Sequence, residues 1–170
     1  MIRGKNIELR AVEPTDVDLL YAWENDESLW HLSNTLTPFS RFDIEQYVLN
    51  AGQDIFAAKQ LRLMIVISDK AIGSIDLFDF EPAHKRAGVG IMVVKNERNK
   101  GYASEALHVL VEYCFNVLHL HQLFCNISAD NQASISLFSK EGFEIIGLKK
   151  EWLLIRNKWV DEYILQLINR

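Results

Sequence analysis

The residues best suited to chemistry form one short segment, Arg98-Asn99-Lys100-Gly101-Tyr102-Ala103. It lies between an apolar stretch that favours a strand and the clearest helical pattern in the chain. Such a junction leaves the first N–H groups of the helix without partners and adds the positive end of the helix dipole, so it suits a phosphate or pyrophosphate. Lys95, Arg98 and Lys100 concentrate positive charge there in an otherwise acidic chain. An exposed charged turn capped by glycine is the alternative interpretation.

Two familiar nucleotide-binding loops do not fit this segment. The Rossmann fingerprint needs three glycines, and in a Walker A loop the Lys follows the glycines, whereas Lys100 precedes the single Gly101. The spacing Arg/Gln-x-x-Gly-x-Gly/Ala should occur by accident in roughly 0.15 of chains of this length. Its position between a buried strand and a strong helix therefore carries more weight than the spacing itself.

The elements that must position this loop follow from the hydrophobic pattern. The apolar run 86–94 predicts a strand, and Gly88 and Gly90 leave one face of it without side chains, so another group could approach closely there. Apolar residues recur at three- and four-residue steps from 103 to 118, which predicts a helix packed on a sheet. With a strand at 123–128, the strand-helix-strand unit over 86–128 implies one parallel crossover.

Shorter elements are predicted on either side of this unit. The predicted order is β-αα-βββ-α-β-α-ββ, an α+β or mixed α/β sheet in a single domain over residues 1–170, with hairpins that make part of the sheet antiparallel. A first strand is predicted at 7–11 and stops at Glu13-Pro14, and two helices are predicted to start at caps formed by Thr15 with Asp18 and by Ser40 with Asp43. Strands at 61–68 and 72–80 form a hairpin about a turn at Asp69-Lys70, and Pro82 ends the second of them. A helix over 131–140 is ended by Gly142, and a final hairpin turns near Asn157.

Composition limits the classes of function. The chain has 170 residues, of which 49% are hydrophobic and 24% charged, and 18 Lys and Arg against 23 Asp and Glu give a net charge of −5. These values predict one soluble domain. The negative charge argues against a nucleic-acid backbone as the main ligand and favours a cationic substrate. Charged residues interrupt the first twenty positions, no later stretch is long enough to span a membrane, and the two cysteines have no disulfide-framework or metal-type spacing, so we expect a cytoplasmic protein.

With its flanking elements, the loop resembles that of the GNAT superfamily of N-acetyltransferases, which bind acetyl-CoA through an Arg/Gln-x-x-Gly-x-Gly/Ala loop after a bulged strand. A second family signature, an Asn that opens a helix closing with Gly-Phe, matches Asn131 and Gly142-Phe143 in the same order. The resemblance covers nearly the whole chain and implies a GNAT-like mixed sheet with acetyl-CoA as co-substrate. The segments NDESLW, TPFS, IGSIDLFDF and KRAGVGI resemble the branch of spermidine and diamine acetyltransferases, with ribosomal-protein N-terminal acetyltransferases as near relatives.

The resemblance implies cofactor-binding roles residue by residue. Met92, Val93 and Val94 would offer backbone groups to the pantetheine arm. Asn131 would hydrogen-bond the pantetheine or nucleotide part, although a helix N-cap role explains this Asn equally well. Phe138, counted with the cofactor-binding residues, stands where many members carry a Tyr that protonates the departing thiolate. The pyrophosphate would lie on amides of the loop and the first helical turn, namely Arg98, Asn99, Lys100, Gly101, Tyr102, Ala103 and Ser104.

Proton transfer is the remaining chemical requirement. A primary amine with a pKa of about 10.4 is only about 0.04% neutral at pH 7, so some group must take its proton. The matching positions of the polyamine branch are acidic, which makes Asp76 the leading candidate base and Asp79 the second; a solvated strand face is the alternative. Phe138 cannot donate a proton, but a thiol of pKa ~8.5 leaves readily without a dedicated acid. Ser134 could donate a hydrogen bond instead, or be a solvated helix serine.

The residues thus predict direct attack of an amine on acetyl-CoA, because no Cys or Ser lies in a recognisable nucleophile arrangement. Backbone amides of the glycine-containing strand are the natural donors to the oxyanion. His119 and His121 lack a third ligand at suitable spacing, so no metal site is predicted.

The expected substrate is a polyamine or diamine. Alternatives are acetylation of a protein N-terminus or small metabolite, and a CoA-binding regulatory module without catalysis. We expect a small-molecule amine as partner, not a nucleic acid or membrane, and a homo-oligomer stays open.

Overall fold

An eight-stranded mixed sheet forms the framework of the computed structural model, which describes all residues from 1 to 170. Its strands are β1 (Ile2–Arg3), β2 (Glu8–Ala11), β3 (Leu61–Ile67), β4 (Lys70–Glu81), β5 (Arg86–Val93), β6 (Gln122–Ser128), β7 (Glu144–Ile155) and β8 (Lys158–Ile168). The helices are α1 (Val17–Glu24), α2 (Trp30–Ser33), α3 (Arg41–Asn50), α4 (Ile55–Ala58), α5 (Tyr102–Asn116) and α6 (Gln132–Lys140).

The strand order is β1-β2-β3-β4-β5-β6-β8-β7. β5 and β6 are parallel, whereas β3 with β4, β4 with β5, β6 with β8 and β7 with β8 are antiparallel. This topology confirms the mixed α/β class, the parallel crossover over 86–128 and the C-terminal hairpin about Asn157. No helix in the structure is long and apolar enough to cross a membrane.

The main hydrophobic core lies between one face of the sheet and α5. The helix directs Leu107, Leu110 and Cys114 inward, and each has no measurable exposure. They share one buried cluster with Ile75 of β4 and Val89 of β5. Because truncating a buried Leu to Ala typically costs about 2–5 kcal/mol, this face holds α5 firmly on the sheet. This packing therefore fixes the position of the first turn of α5 relative to β5.

Two compact units divide the chain, one comprising 1–10 with 55–170 and the other 11–54. The second unit contains α1, α2 and α3. Ser40 caps α3 as predicted, since its hydroxyl oxygen accepts a hydrogen bond from the Asp43 N–H at 3.0 Å and the Asp43 carboxylate accepts one from the Ser40 N–H at 3.1 Å. A single acetyltransferase domain over 1–170 stays a prediction.

The start of α1 differs from the prediction that Thr15 and Asp18 cap it. A 3-10 turn at Pro14–Asp16 precedes Val17, and the Asp16 carboxylate accepts a hydrogen bond from the Glu13 N–H at 2.8 Å. Proline suits the first position of such a turn because it has no N–H to satisfy and its φ is already turn-like. The four-residue helices α2 and α4 were not predicted, since four residues are too few to show a helical period.

The observed ends of the strands near the turns also differ slightly from the predicted ones. The β3–β4 turn lies at Ser68-Asp69, with φ of 46° and 66°, rather than at Asp69-Lys70. Positive φ at both central residues is the geometry of tight hairpin turns that match the twist of the strands. The two-residue β1, which pairs with β2, is too short for alternation to reveal.

Candidate active site

The loop between β5 and α5 presents a row of backbone N–H groups without hydrogen-bond partners. The first hydrogen bond into α5 runs from the Glu105 N–H to the Gly101 carbonyl at 3.0 Å. The amides from Lys100 to Ser104 therefore precede the helical ladder, at the positive end of the helix dipole. Gly101 has a φ of 84°, and a Cβ built there would meet no atom within 4 Å. Open space beside a cluster of donors suits a pyrophosphate.

Neighbouring groups hold two of the three basic side chains of this loop. Arg98 Nε donates to the Val93 carbonyl at 2.8 Å and ties the loop to the end of β5. Lys100 Nζ lies 2.8 Å from a Glu97 carboxylate oxygen, and this hydrogen bond raises the pKa of Lys100 and lowers the pKa of Glu97. Lys95 is exposed and makes no ion pair. The Lys95 side chain is therefore free of protein partners, whereas Lys100 would have to leave Glu97 to meet an anion.

β5 and β6 separate after three paired residues. Their pairing runs from Arg86 with Gln122 to Gly88 with Phe124, although β5 continues to Val93. The strands therefore open a wedge toward the carboxyl end of β5, beside the loop. An extended ligand arm can hydrogen-bond to an unpaired strand edge as an added strand would.

Backbone alternation along β5 determines which groups face this wedge. The Val94 N–H donates to the Ile72 carbonyl at 2.9 Å, and the Met92 carbonyl also lies against β4. Because successive residues of a strand direct their backbone groups to opposite sides, Val93 and Ile91 face the wedge. The geometry thus favours Val93 and Ile91 over Met92 and Val94 as backbone partners. Residues two apart in a strand face the same side, so Ile91 could have been identified from the sequence together with Val93.

Helix α6 brings the predicted Asn131 and Ser134 together. Asn131 Oδ1 accepts a hydrogen bond from the Ser134 N–H at 3.2 Å, so Asn131 is the N-cap of the helix. The side-chain NH₂ of Asn131 and the hydroxyl of Ser134 have no protein partner, and both residues are half-buried. These two donors remain available to a ligand. Phe138, in contrast, is 3% exposed and packs edge-to-face on Phe143 with ring centroids 5.0 Å apart, so its ring lies in the core.

The leading candidate base, Asp76, is paired with Arg62. Arg62 Nε lies 2.8 Å from Asp76 Oδ1, and Nη2 lies 2.9 Å from Oδ2. The Asp76 side chain is 28% exposed, and each carboxylate oxygen has two lone pairs, so it can still accept a hydrogen bond from a ligand. Asp79 has a φ of 46°, lies in a bulge of β4 and is exposed. The two candidate bases therefore occupy different environments. Sequence reasoning missed Arg62.

The two glycines of β5 are covered differently. Phe78 pairs with Gly88 and Asp76 pairs with Gly90 across β4 and β5. A Cβ on Gly88 would lie 2.3 Å from the Phe78 ring, so Gly88 makes room for this ring rather than for a ligand. A Cβ on Gly90 would meet only the ring edge, at 4.0 Å. The predicted close approach therefore occurs at Gly88, where the approaching group is the Phe78 ring, and the space at Gly90, beside Asp76, stays open.

Neither cysteine is suited to act as a nucleophile. Cys114 and Cys125 are both buried and free, and burial raises the pKa of each thiol to about 12. A thiol with such a pKa is protonated at neutral pH, and the thiolate is the nucleophilic form. This geometry supports direct attack by an amine rather than an acyl-cysteine intermediate.

Comparison with known proteins identifies the family. A model of the acetyltransferase (GNAT) domain matches residues 6–144. The chain belongs to this family. It is accordingly a GNAT-type N-acetyltransferase, and acetyl-CoA is the co-substrate.

The GNAT chain is similar over nearly its whole length to bacterial relatives. It is 25% identical to the uncharacterized N-acetyltransferase p20 of Bacillus licheniformis, covering 98% of this chain and 94% of that protein. It is 24% identical to the spermidine N(1)-acetyltransferase of Vibrio cholerae, covering 96% and 95%. A crystal structure of spermidine N-acetyltransferase from Vibrio cholerae in complex with CoA and spermine matches with a TM-score of 0.87 and 20% identity over 97% and 96% of the two chains. The structural match confirms the predicted GNAT-like fold.

The geometry of this GNAT chain fits the parts of acetyl-CoA. The amides from Lys100 to Ser104 suit a pyrophosphate, and the wedge lined by Val93 and Ile91 suits an extended arm with amide groups. Asn131 and Ser134 add two unpartnered donors at the start of α6. Acetyl-CoA supplies an activated thioester, and the chain binds and orients it.

Proposed function

We propose that this chain transfers acetyl from acetyl-CoA directly to a primary amine, and that the amine is a diamine or polyamine. The row of unpartnered amides from Lys100 to Ser104, beside the wedge between β5 and β6, is the observation that carries the cofactor part. The spermidine-acetylating relative and the net charge of −5 support the amine part. The proposal includes one acetyltransferase domain over 1–170 and a cytoplasmic location, where two free thiols stay reduced.

Charge along β4 supports an amine with a second positive charge. Asp76, beside the open space at Gly90, is balanced by the guanidinium of Arg62. Asp79 and Glu81 follow on the same strand and form no ion pair, so they leave negative charge toward the end of β4. A second ammonium group would be attracted there while the first nitrogen lies at the thioester, whereas a monoamine has no second charge to place beside these carboxylates.

The transfer forms a bond between the amine nitrogen and the acetyl carbon and breaks the bond from that carbon to sulfur. Asp76 accepts the proton that the nitrogen loses, directly or through a water molecule. The Ser134 hydroxyl donates a hydrogen bond to the departing sulfur, which needs no strong acid because a thiol of pKa ~8.5 is a fair leaving group. Ile91 and Val93 donate their N–H groups to the extended, amide-containing arm of acetyl-CoA and hold it along β5.

A comparison of diamine with monoamine turnover tests the substrate class. We expect kcat/KM for 1,4-diaminobutane to exceed that for butylamine, which has the same chain length and one charge less. Added salt should shrink the difference, because the screening length falls from about 10 Å at 0.1 M to about 3 Å at 1 M ionic strength. Preference for butylamine at every salt concentration would exclude the polyamine assignment and favour a peptide N-terminus or small metabolite.

A further inference from the structure

One carboxylate joins the turn between β1 and β2 to the first turns of α5. Glu105 Oε1 accepts hydrogen bonds from the Asn6 N–H at 2.6 Å and from the Ile7 N–H at 3.4 Å, and Oε2 accepts one from the Asn6 side-chain NH₂ at 2.9 Å. The donors lie 99 and 98 residues before Glu105 in the chain. We call residues 4–7 the N-terminal turn. Glu105 is thus held by a segment far from it in the sequence.

Gly4 gives this carboxylate room at the N-terminal turn. A Cβ on Gly4 would lie 2.5 Å from Glu105 Oε1 and 3.2 Å from Val109 Cγ2, so a side chain there would collide with the bound carboxylate. Gly4 does not have a positive φ, so the backbone conformation itself does not require glycine. The missing side chain therefore serves the close approach of Glu105.

Glu105 is charged at neutral pH. Burial raises the pKa of this carboxyl, but the hydrogen bonds from Asn6, Ile7 and Lys5 outweigh burial, so the pKa lies below its usual value. Hydrogen bonds to an ionised group favour the ionised form. The Glu105 N–H bonds to the Gly101 carbonyl, which places Glu105 one helical turn from the start of α5. A full negative charge is therefore present close to the loop amides that suit a pyrophosphate.

A free carboxylate at position 105 would weaken the cofactor site. Side chains of a helix point toward its N-terminus, so the Glu105 side chain lies over the first turn of α5, near the amides from Lys100 to Ser104. An unheld carboxylate there would be attracted to the same unpartnered N–H groups and would repel a pyrophosphate bound to them. The N-terminal turn gives the carboxylate donors of its own, so the amides of α5 stay open to a ligand.

We propose that the N-terminal turn is a positioning element of the cofactor site, because it holds the Glu105 carboxylate away from the loop amides that bind the pyrophosphate. The turn acts through Glu105 and does not touch the cofactor. The alternative is that Glu105 only braces the N-terminal turn against α5. The two roles differ in sign, since removing a brace cannot improve a damaged site, whereas removing a displaced charge can. The inference rests on the cofactor part of the proposed function and is independent of the amine.

Gly4→Ala displaces the carboxylate by adding one methyl group. We expect the Kd for CoA, measured by isothermal titration, to rise about two- to fivefold, the range in which one charge acts at a helix terminus. Adding Glu105→Ala to Gly4→Ala should return Kd to the wild-type value, because the displaced charge is then gone. Glu105→Ala alone should lower Tm without raising Kd. Gly52→Ala is the matched control and should leave Kd unchanged, since a Cβ there meets no atom within 4 Å and Gly52 has no positive φ.

Asn6→Ala loosens the carboxylate without adding atoms, in case Gly4→Ala misfolds. It removes the donor 2.9 Å from Glu105 Oε2 at an exposed position, and we expect a smaller rise in Kd that Glu105→Ala again reverses.

Three results would overturn the proposal: a Kd unchanged in both Gly4→Ala and Asn6→Ala, a rise that Glu105→Ala does not reverse, or a rise caused by Glu105→Ala alone. Gly101→Val separates these results from failure of the cofactor site. If Gly101→Val raises Kd, the loop holds the pyrophosphate and only the role of the N-terminal turn is wrong; if it does not, the cofactor assignment itself fails.

Discussion

Gly101→Val tests the loop by placing a branched side chain beside its amides. Gly101 has a φ of 84°, and its Cβ would project into space free of protein atoms within 4 Å, which is the space that a pyrophosphate needs. An amide hydrogen bond to a charged oxygen contributes about 1.5–3 kcal/mol. Losing two such bonds removes about 3 kcal/mol at the lower end, which raises the Kd for CoA about 100-fold. The left-handed φ also costs a Val about 1–2 kcal/mol of folding free energy.

Gly142→Val is the matched control for backbone strain. Gly142 has a φ of 99° and follows α6 rather than the loop, so a Val there has the same backbone strain without covering the amides, and its Cβ lies in ordinary contact with Leu167 at 3.4 Å. Isothermal titration with CoA and thermal unfolding should be measured for both variants. We expect both to lower Tm and only Gly101→Val to raise Kd. If Gly101→Val changes Kd by less than about threefold, roughly 0.7 kcal/mol, the loop does not hold the pyrophosphate.

Further substitutions test proton transfer and one ion pair. Ser134→Ala should lower kcat without changing CoA affinity; equal turnover would remove this hydroxyl from the mechanism. Asp76→Asn should lower kcat/KM by about 10²–10⁴ and flatten its rise with pH. An unchanged profile for Asp76→Asn would place the base elsewhere. The hydrogen bond that His108 Nδ1–H donates to the Glu141 carboxylate raises the pKa of His108, so this pair stabilises the fold fully below pH ~6.5, and the effect is lost as pH rises through the higher folded-state pKa. The Tm difference between wild type and Glu141→Gln should therefore shrink at alkaline pH; a difference that grows would contradict the pairing.

Elements with several repeats of a period were predictable from sequence, and very short ones were not. The apolar pattern over 103–118 matches α5, which spans Tyr102–Asn116, because a helix packed on a sheet must bury one face along its length. In β1, Ile2–Arg3 offers only two residues, and in α2, Trp30–Ser33 offers four, so neither can display a period. Both depend on contacts elsewhere in the fold.

Some features of the candidate site are formed by consecutive residues, and others are formed by residues far apart in the sequence. The loop amides were predictable because Arg98 to Ala103 are consecutive and their geometry follows from one strand-helix junction. The pair of Arg62 with Asp76 depends on strand register, which the turn at Ser68-Asp69 and a register shift between Ile65 and Val66 set together. The predicted turn at Asp69-Lys70, without that shift, would instead place Leu77 opposite Arg62. A shift of one residue also reverses the face of every side chain in a strand.

Acetyl transfer is tested most directly by following free thiol and amine together. The chain is incubated with acetyl-CoA and, in turn, spermidine, 1,4-diaminobutane, butylamine and a peptide with a free N-terminus. Thiol release is recorded, and the mass of each amine is measured by mass spectrometry. We predict many turnovers with the di- and polyamines, with one acetyl group added to the amine for each thiol released. CoA bound in a one-to-one complex, without thiol release above the protein-free rate for any of these amines, would contradict an acetyltransferase and indicate a CoA-binding module.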